Sequence, residues 1–215
     1  MATVVNRQMT EWDKCYFEGG SSETYFHGVD SALRRLPFSV IDQLSDVLWQ
    51  AYLDDRSLYV FGNGGSAALA SHIACDLGKG TIVNGRRRFR VVALTDNVPL
   101  MTACANDASY EDIFSEQLKS LVRRGDVVLA ISGSGNSPNV LSALHVAQQA
   151  NAITLGLTGY QGGKMKAFCD LCVVVPSDNM QVIEDLHVSV SHSVFLSLRS
   201  RIYDCTTGVA APQRA

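Results

Sequence analysis

Two short loops rich in glycine and serine have the composition of anion-binding turns. They are GNGGS at residues 62–66 and SGSGNS at residues 132–137, and each lies between an apolar run and a segment of helical length. Free N–H groups at a helix start attract an anion, and serine hydroxyls add hydrogen-bond donors. Neither loop matches the triphosphate P-loop or the dinucleotide fingerprint. The pair favours a phosphate held without lysine; capped strand–helix turns that bind no ligand are the simpler alternative.

Titratable side chains recur on two segments of helical length. His72 and Asp76 are four residues apart, so they share one helix face. Glu184 and His192 are eight residues apart, or about 80° around a helix axis, and long side chains converge at that angle. Asp185, seven residues before His192, aligns with it better, so either acid can face the site. Imidazoles and carboxylates both bind zinc and move protons.

Five apolar runs of strand length alternate with longer segments of helical length. The runs are at residues 57–62, 89–95, 126–132, 152–159 and 170–176. They lack polar–apolar alternation, which is typical of strands buried on both faces of a parallel sheet. The intervening helices are expected at residues 66–78, 109–123, 137–150 and 161–168. The pattern predicts an α/β fold with a doubly wound five-stranded parallel sheet flanked by helices.

The flanking segments differ from this alternating core. Residues 22–36 and 39–54 have helical spacing and no strand pattern, so they predict two N-terminal helices that pack on the core or on a partner subunit. A long final helix with one apolar stripe is expected from about Gln181. We see no repeat or linker. The expected single domain, 1–215, comprises N-terminal helices at about 22–54, an α/β core at about 57–203 and a frayed tail at 204–215.

The composition excludes several classes of protein. The chain is 47% hydrophobic and 18% charged with a net charge of −3, which is typical of a globular domain and not of a nucleic-acid-binding surface. The densest basic run, a solvated loop or the edge of a small anion site, is Arg86, Arg87, Arg88 and Arg90. No segment has the apolar length of a membrane span or a signal peptide, so we expect a cytoplasmic location and no membrane partner.

Cysteine usage points to packing rather than to cross-links. The chain has six cysteines, and without an export signal they are expected to be reduced. Cys169 and Cys172 form a CxxC motif, but no second motif completes a zinc ribbon. We therefore interpret this pair as small apolar residues at the start of a strand.

The two loops, in this order, resemble those of SIS (sugar isomerase) domains, and within that family the chain is similar to the phosphoheptose isomerases. The resemblance extends over about residues 25–203 and includes TDN at 95–97, AND at 105–107 and LTGYQGG at 157–163. It implies an aldose–ketose isomerase that converts sedoheptulose 7-phosphate to D-glycero-D-manno-heptose 7-phosphate through an enediolate. It also implies a homotetramer with sites between subunits.

The resemblance implies a metal site. Similar isomerases hold zinc with a His and a Glu from one helix and a Gln and a His from the last helix. His72 and His192 match directly, Asp76 stands in place of the Glu, and Glu184 stands in place of the Gln. One zinc per subunit is implied, with Asp76 as the base and His192 as the acid or proton shuttle. Because zinc-bound carboxylates are weaker bases, Asp76 is open to either role, base or ligand.

The resemblance also implies how the substrate is bound. Loop serines and amides hold the phosphate, and Asn63 and Asp96 bind sugar hydroxyls. The family often has an arginine after the first site helix, and Lys79 is the nearest substitute here. The expected substrate-binding residues are Asn63, Gly64, Gly65, Ser66, Asp96, Ser132, Gly133, Ser134, Ser137 and Glu184.

A non-catalytic function is the alternative. Some SIS domains bind sugar phosphates as sensors, and one that resembles this group binds the bacterial replication initiator. Such a module is expected to lack the metal-ligating side chains. Here both histidines and both acids are present, which favours an enzyme. Metal content of the purified protein discriminates between the two functions.

Overall fold

The sheet has five parallel strands. The computed structural model describes residues 21–207, with side chains as far as Cys205. The strands are β1 (Ser57–Gly62), β2 (Arg90–Ala93), β3 (Val127–Ser132), β4 (Ile153–Thr158) and β5 (Leu171–Val174). They pair in the order β2-β1-β3-β4-β5, and every pairing is parallel. Each strand lies within a predicted apolar run, so the predicted fold class is confirmed.

Helices cover both faces of this sheet. Within the described range they are α1 (Ser22–Arg34), α2 (Phe38–Leu53), α3 (Gly65–Cys75), α4 (Val98–Asp107), α5 (Ser115–Leu121), α6 (Pro138–Gln149) and α7 (Met180–Thr207). Helices α1 and α2 confirm the two helices predicted ahead of the first strand. Helix α7 begins one residue before the predicted Gln181 and stays helical beyond residue 203; residues 208–215 of the predicted tail lie outside the described residues.

Two apolar layers form the core, one on each face of the sheet. Leu58 and Val60 of β1 pack into a cluster with α1, α2, α3 and α7. Tyr59 and Phe61 point to the opposite face and pack with α5 and α6. Strands β1 and β3 are buried along their whole length. This two-sided burial explains why the strands read as continuous apolar runs.

Two helix predictions were wrong in detail, and one helix was not predicted. The helix expected at 109–123 is broken, because Ser109 accepts the N–H of Glu111 and closes a short 3-10 turn before α5 begins. The helix expected at 161–168 is reduced to a 3-10 turn, Met165–Ala167. Helix α4 begins where Asn97 accepts the N–H of Leu100.

The described segment contains no helix long and apolar enough to cross a membrane. Its described cysteines are all free thiols. Cys169 precedes β5 and Cys172 lies within it, as the interpretation of the CxxC motif as a strand start predicts.

Candidate active site

Three titratable side chains from two helices converge beside the sheet. His72 lies near the end of α3, Asp76 directly follows that helix, and His192 projects from α7. The Nε2 atoms of the two histidines are 2.9 Å apart. The Oδ2 atom of Asp76 lies 3.2 Å from the first nitrogen and 3.8 Å from the second. The structure therefore brings together three of the four predicted metal ligands.

A π-helical turn and a close helix contact hold this cluster. Asp76 is the first residue of a π-helix, Asp76–Gly80, that continues α3; such turns are frequent at functional sites. The π-helix ends at Gly80, where an added Cβ would lie 2.7 Å from the Phe195 ring. The absence of a side chain at Gly80 lets α7 approach closely. Phe195 is one turn after His192, so this contact brings His192 to the end of α3.

The three donors fit a zinc ion chemically. Two imidazole nitrogens and one carboxylate oxygen form a donor set that catalytic zinc sites use, with a further position open to water or substrate. Their ligand atoms all lie within 4.8 Å of one another. Both histidines are about half exposed, and Asp76 is partly buried, so a small molecule can reach the cluster from solvent.

The structure does not bring Glu184 into this cluster, and its place as the fourth ligand stays a prediction. Among the described residues the cluster has three members. The Glu184 carboxylate lies over Gly65, where both of its oxygens would be 2.9 Å from an added Cβ. Gly65 is the first residue of α3, and the positive end of the helix dipole stabilises a carboxylate there. Gly65 is seven residues before His72, or about two helical turns.

Asp185, the alternative acid on the last helix, faces away from the cluster. The hydroxyl of Tyr25 on α1 donates a hydrogen bond to its Oδ2 atom at 2.5 Å. The pKa of Tyr25 is raised to about 12, first by burial and then by this hydrogen bond and the charge of Asp185. Asp185 therefore binds α7 to α1 and leaves Glu184 as the acid nearer to the glycine loops.

The two glycine loops lie side by side, because β1 and β3 are neighbours in the sheet and both loops follow their carboxyl ends. A pair of amides links them. Asn63 donates to Asn139 at 2.9 Å, and Asn139 donates back at 2.8 Å. The hydroxyl of Tyr110 also donates to Asn63, at 3.1 Å. Asn139 and Tyr110 were not predicted; Asn139 is buried in the first turn of α6, which only the structure shows.

The SGSGNS loop places two of its serines together. The hydroxyls of Ser132 and Ser137 are 3.3 Å apart, and Ser132 also accepts the N–H of Gly135 at 3.2 Å. Ser134 accepts the N–H of Asn136 at 3.3 Å and so stabilises the turn itself. The side chain of Ser137 does not cap α6, and Asn139 accepts the N–H of Val140 within the first turn at 3.0 Å. Because Pro138, the first residue of α6, has no N–H, the hydroxyls of Ser132 and Ser137 are the groups best placed to bind an anion.

The remaining predicted residues surround these groups. Gly64 has a φ of +57° and open space on its Cβ side, whereas Gly133 packs against Met180. Ser66 is buried in the first turn of α3. Asp96 is exposed and accepts a short hydrogen bond from the hydroxyl of Ser71, the neighbour of His72. Lys79 is exposed in the π-helix.

Known proteins resemble this chain in sequence and in fold. The SIS domain profile matches residues 24–159. The phosphoheptose isomerase of Pelobacter propionicus is 38% identical over 161 residues, which cover 75% of this chain and 84% of that protein. The chain belongs to the phosphoheptose isomerase group of the SIS domain family. The enzyme of Paramagnetospirillum magneticum is 43% identical over 152 residues, 71% of this chain and 74% of that protein.

A solved structure supports the same assignment. The phosphoheptose isomerase of Neisseria gonorrhoeae superposes with a TM-score of 0.77 at 30% identity, covering 83% of this chain and 96% of that one. The family resemblance inferred from GNGGS and SGSGNS is thus confirmed, and with it the prediction of an enzyme.

Proposed function

We propose that this chain interconverts sedoheptulose 7-phosphate and D-glycero-D-manno-heptose 7-phosphate. The observation that carries the proposal is the cluster of His72, Asp76 and His192 beside two neighbouring glycine–serine loops. A carboxylate and an imidazole 3.8 Å apart are a base and an acid close enough to act on adjacent atoms of one substrate. The two loops add a place for the phosphate of the same molecule.

We also propose that the cluster holds one zinc ion per subunit, bound by His72, Asp76 and His192. When bound, zinc would supply Lewis-acid polarisation of the substrate oxygens. Glu184 is the fourth ligand of the sequence-based hypothesis, but its position over Gly65 suits a contact with substrate better. We assign it to the substrate hydroxyls, together with Asn63 and Asp96.

The residues of the cluster have distinct parts in proton transfer. Asp76 takes the proton from the carbon next to the carbonyl, and the electron pair left behind forms the enediolate. The protonated carboxyl then returns this proton to the neighbouring carbon, the former carbonyl carbon. A proton also passes between the two substrate oxygens, so charge is conserved over the whole step, and His192 carries it through the ring nitrogen that does not bind zinc. His72, 3.2 Å from Asp76, orients the carboxylate.

The phosphate is expected to bind at the SGSGNS loop. Ser132 and Ser137 present hydroxyls 3.3 Å apart at the start of α6, where the helix dipole favours an anion. The paired amides of Asn63 and Asn139 fix the distance between this loop and the start of α3. The loop that binds the phosphate and the helix that carries His72 are thereby linked to each other by hydrogen bonds.

Assembly as a homotetramer is part of the proposal. Large apolar side chains are exposed on α1, α2 and α7, among them Phe26, Phe38 and Leu196. Burying such side chains between subunits is favourable, and exposed apolar patches mark interaction surfaces. Cytoplasmic location, a single domain over 1–215 and the lack of a nucleic-acid partner stay predictions from the sequence.

The decisive experiment measures turnover of sedoheptulose 7-phosphate by the purified protein before and after chelation. We expect turnover that chelation abolishes and zinc restores, with about one zinc per chain by metal analysis. Turnover that survives complete metal removal would contradict the zinc assignment. Zinc-loaded protein that binds the sugar phosphate without turning it over would contradict the isomerase and favour the binding module.

A further inference from the structure

A second cavity lies at the end of the sheet opposite the glycine loops. Its volume is about 380 Å³, and its lining includes Trp49, Tyr52, Arg86, Arg87, Ile202 and Cys205. Helix α2 ends just before β1 begins, and Arg90 pairs with Ser57 at the first position of β2 and β1. The cavity is therefore at the amino ends of the strands. It shares no lining residue with the cluster of His72 and His192.

Backbone carbonyls at two helix ends hold the arginines of this cavity. Arg87 donates from Nη1 to the carbonyl of Leu53 at 3.0 Å, and Arg86 makes a short hydrogen bond to the carbonyl of Cys205. Carbonyls at a helix end carry partial negative charge, which favours cations there. Each guanidinium has five N–H donors, so most donors stay available after these bonds.

The positive charge of this region exceeds the negative charge that its ion pairs supply. Within the described residues, Asp55 is the carboxylate paired with the run of arginines. It lies 4.0 Å from Arg87 and 3.5 Å from Arg90. Asp55 thus pairs with two of the four arginines of this run, whereas Arg86 contacts a backbone carbonyl. The excess makes the cavity a place for an anion.

An aromatic wall gives the cavity a second kind of contact. The rings of Trp49 and Tyr52 are stacked, with centroids 5.5 Å apart and planes at 16°. Tyr52 is buried and donates its hydroxyl to the carbonyl of Arg87 at 3.1 Å. Burial raises the pKa of Tyr52, and the charges of Arg86 and Arg87 oppose that rise. Both guanidinium groups are therefore close enough to affect the pKa of this buried hydroxyl. Trp49 is only partly buried and lines the cavity.

We propose that this cavity binds a nucleoside phosphate, with its phosphates on Arg86 and Arg87 and its base against Trp49. Guanidinium groups match phosphate oxygens in a bidentate geometry, and the flat base gains stacking on the indole ring. A volume of about 380 Å³ lies within the range of small-molecule sites. A free sugar phosphate would use the arginines but leave the aromatic wall without a partner.

Tryptophan fluorescence provides the direct test. Trp12 is the other tryptophan of the chain, so in a Trp12→Phe background Trp49 is the sole reporter. We expect ADP or GDP to quench this fluorescence in a saturable way, whereas adenosine at the same concentration does not bind. Calorimetry on the unmodified chain should give the same affinities. Binding should weaken as salt is added, since the contacts are ionic.

Substitutions separate the two contacts. Arg86→Gln with Arg87→Gln should weaken ADP binding by roughly tenfold or more for each arginine lost. The exposed pair Arg123→Gln with Arg124→Gln removes the same charge elsewhere and should leave binding unchanged. Trp49→Leu should weaken ADP binding, measured by calorimetry, but not that of pyrophosphate.

Three results would overturn the proposal. No binding of ADP or GDP at millimolar concentration would refute the site. Equal affinity for pyrophosphate and ADP, with Trp49→Leu harmless to both, would reduce it to an anion site without nucleotide recognition. If the double arginine variant does not fold, Arg87→Lys keeps the charge without the planar fork, and unchanged binding in that variant would contradict the bidentate contact.

Discussion

His187 predicts how the stability of this protein depends on pH. It lies on α7, its side chain is 1% exposed, and within residues 21–207 neither ring nitrogen has a hydrogen-bond partner. Burial lowers its pKa from 6.5 to about 4. The backbone of Thr158 opposes this fall but does not reach the geometry of a normal hydrogen bond. The folded state therefore holds His187 as the neutral imidazole.

The sign and size of the effect follow from proton linkage. Above pH 6.5 the imidazole is neutral in both the folded and the unfolded chain, so it costs nothing. Below pH 6.5 the unfolded chain binds a proton that the folded chain refuses until about pH 4. Stability is therefore lost as the pH falls through this range. The loss is about 3 kcal/mol in full, and most of it has occurred by pH 4.5.

The test replaces His187 with leucine, which has a similar volume and no titrating group. Urea unfolding at pH 7 and pH 4.5 should show that His187→Leu loses roughly 2–3 kcal/mol less stability than the unmodified chain on acidification. At pH 7 the variant should be at least as stable, because it removes a buried polar ring without partners. His145 is exposed, so His145→Leu should keep the pH dependence of the unmodified chain. An equal loss in the unmodified chain and His187→Leu would refute the reasoning.

Substitutions at three further positions test the site. Asp76→Asn should keep zinc and lower kcat about 100-fold or more, whereas Asp76→Glu should be milder; full activity of the Asn variant would exclude Asp76 as the base. Ser137→Ala should raise KM roughly tenfold with little change in Tm, and an unchanged KM would contradict the phosphate assignment. Gly65→Ala places a Cβ 2.9 Å from the Glu184 carboxylate and should lower kcat/KM. If Gly65→Ala has unaltered kinetics, Glu184 does not contact the substrate.

The sheet was predictable because its strands are encoded locally. β1 and β3 are buried on both faces, so each needs an unbroken apolar run that can be recognised without knowing its neighbours. The segment at 161–168 is different. The N–H of Lys164 donates a hydrogen bond to the side chain of Asn136 at 3.0 Å, and the N–H of Met165 donates one to the carbonyl of Gly135 at 2.9 Å. Both acceptors are in the SGSGNS loop. A helical pattern was overridden there by contacts that only the folded chain makes.

The site was predictable in part for the same reason. The spacing of His72 and Asp76 places them on one helix face, which is a local property. That His192 joins them depends on how closely α7 approaches α3. Family resemblance supplied that contact, and spacing on α7 alone left both Glu184 and Asp185 as candidates.

Two glycines of α3 and its π-helical extension decide where the residues of α7 meet them. Gly80 admits the Phe195 ring, and this contact brings the preceding turn of α7, with His192, to the end of α3. Gly65 admits the Glu184 carboxylate at the start of α3, where the helix dipole retains it. The number of residues between two side chains of α7 gives only the angle between them around the axis of that helix. Whether Glu184 and His192 reach the same place depends on the facing helix. On α3 the two places that they reach, its first turn and its end, are about two helical turns apart.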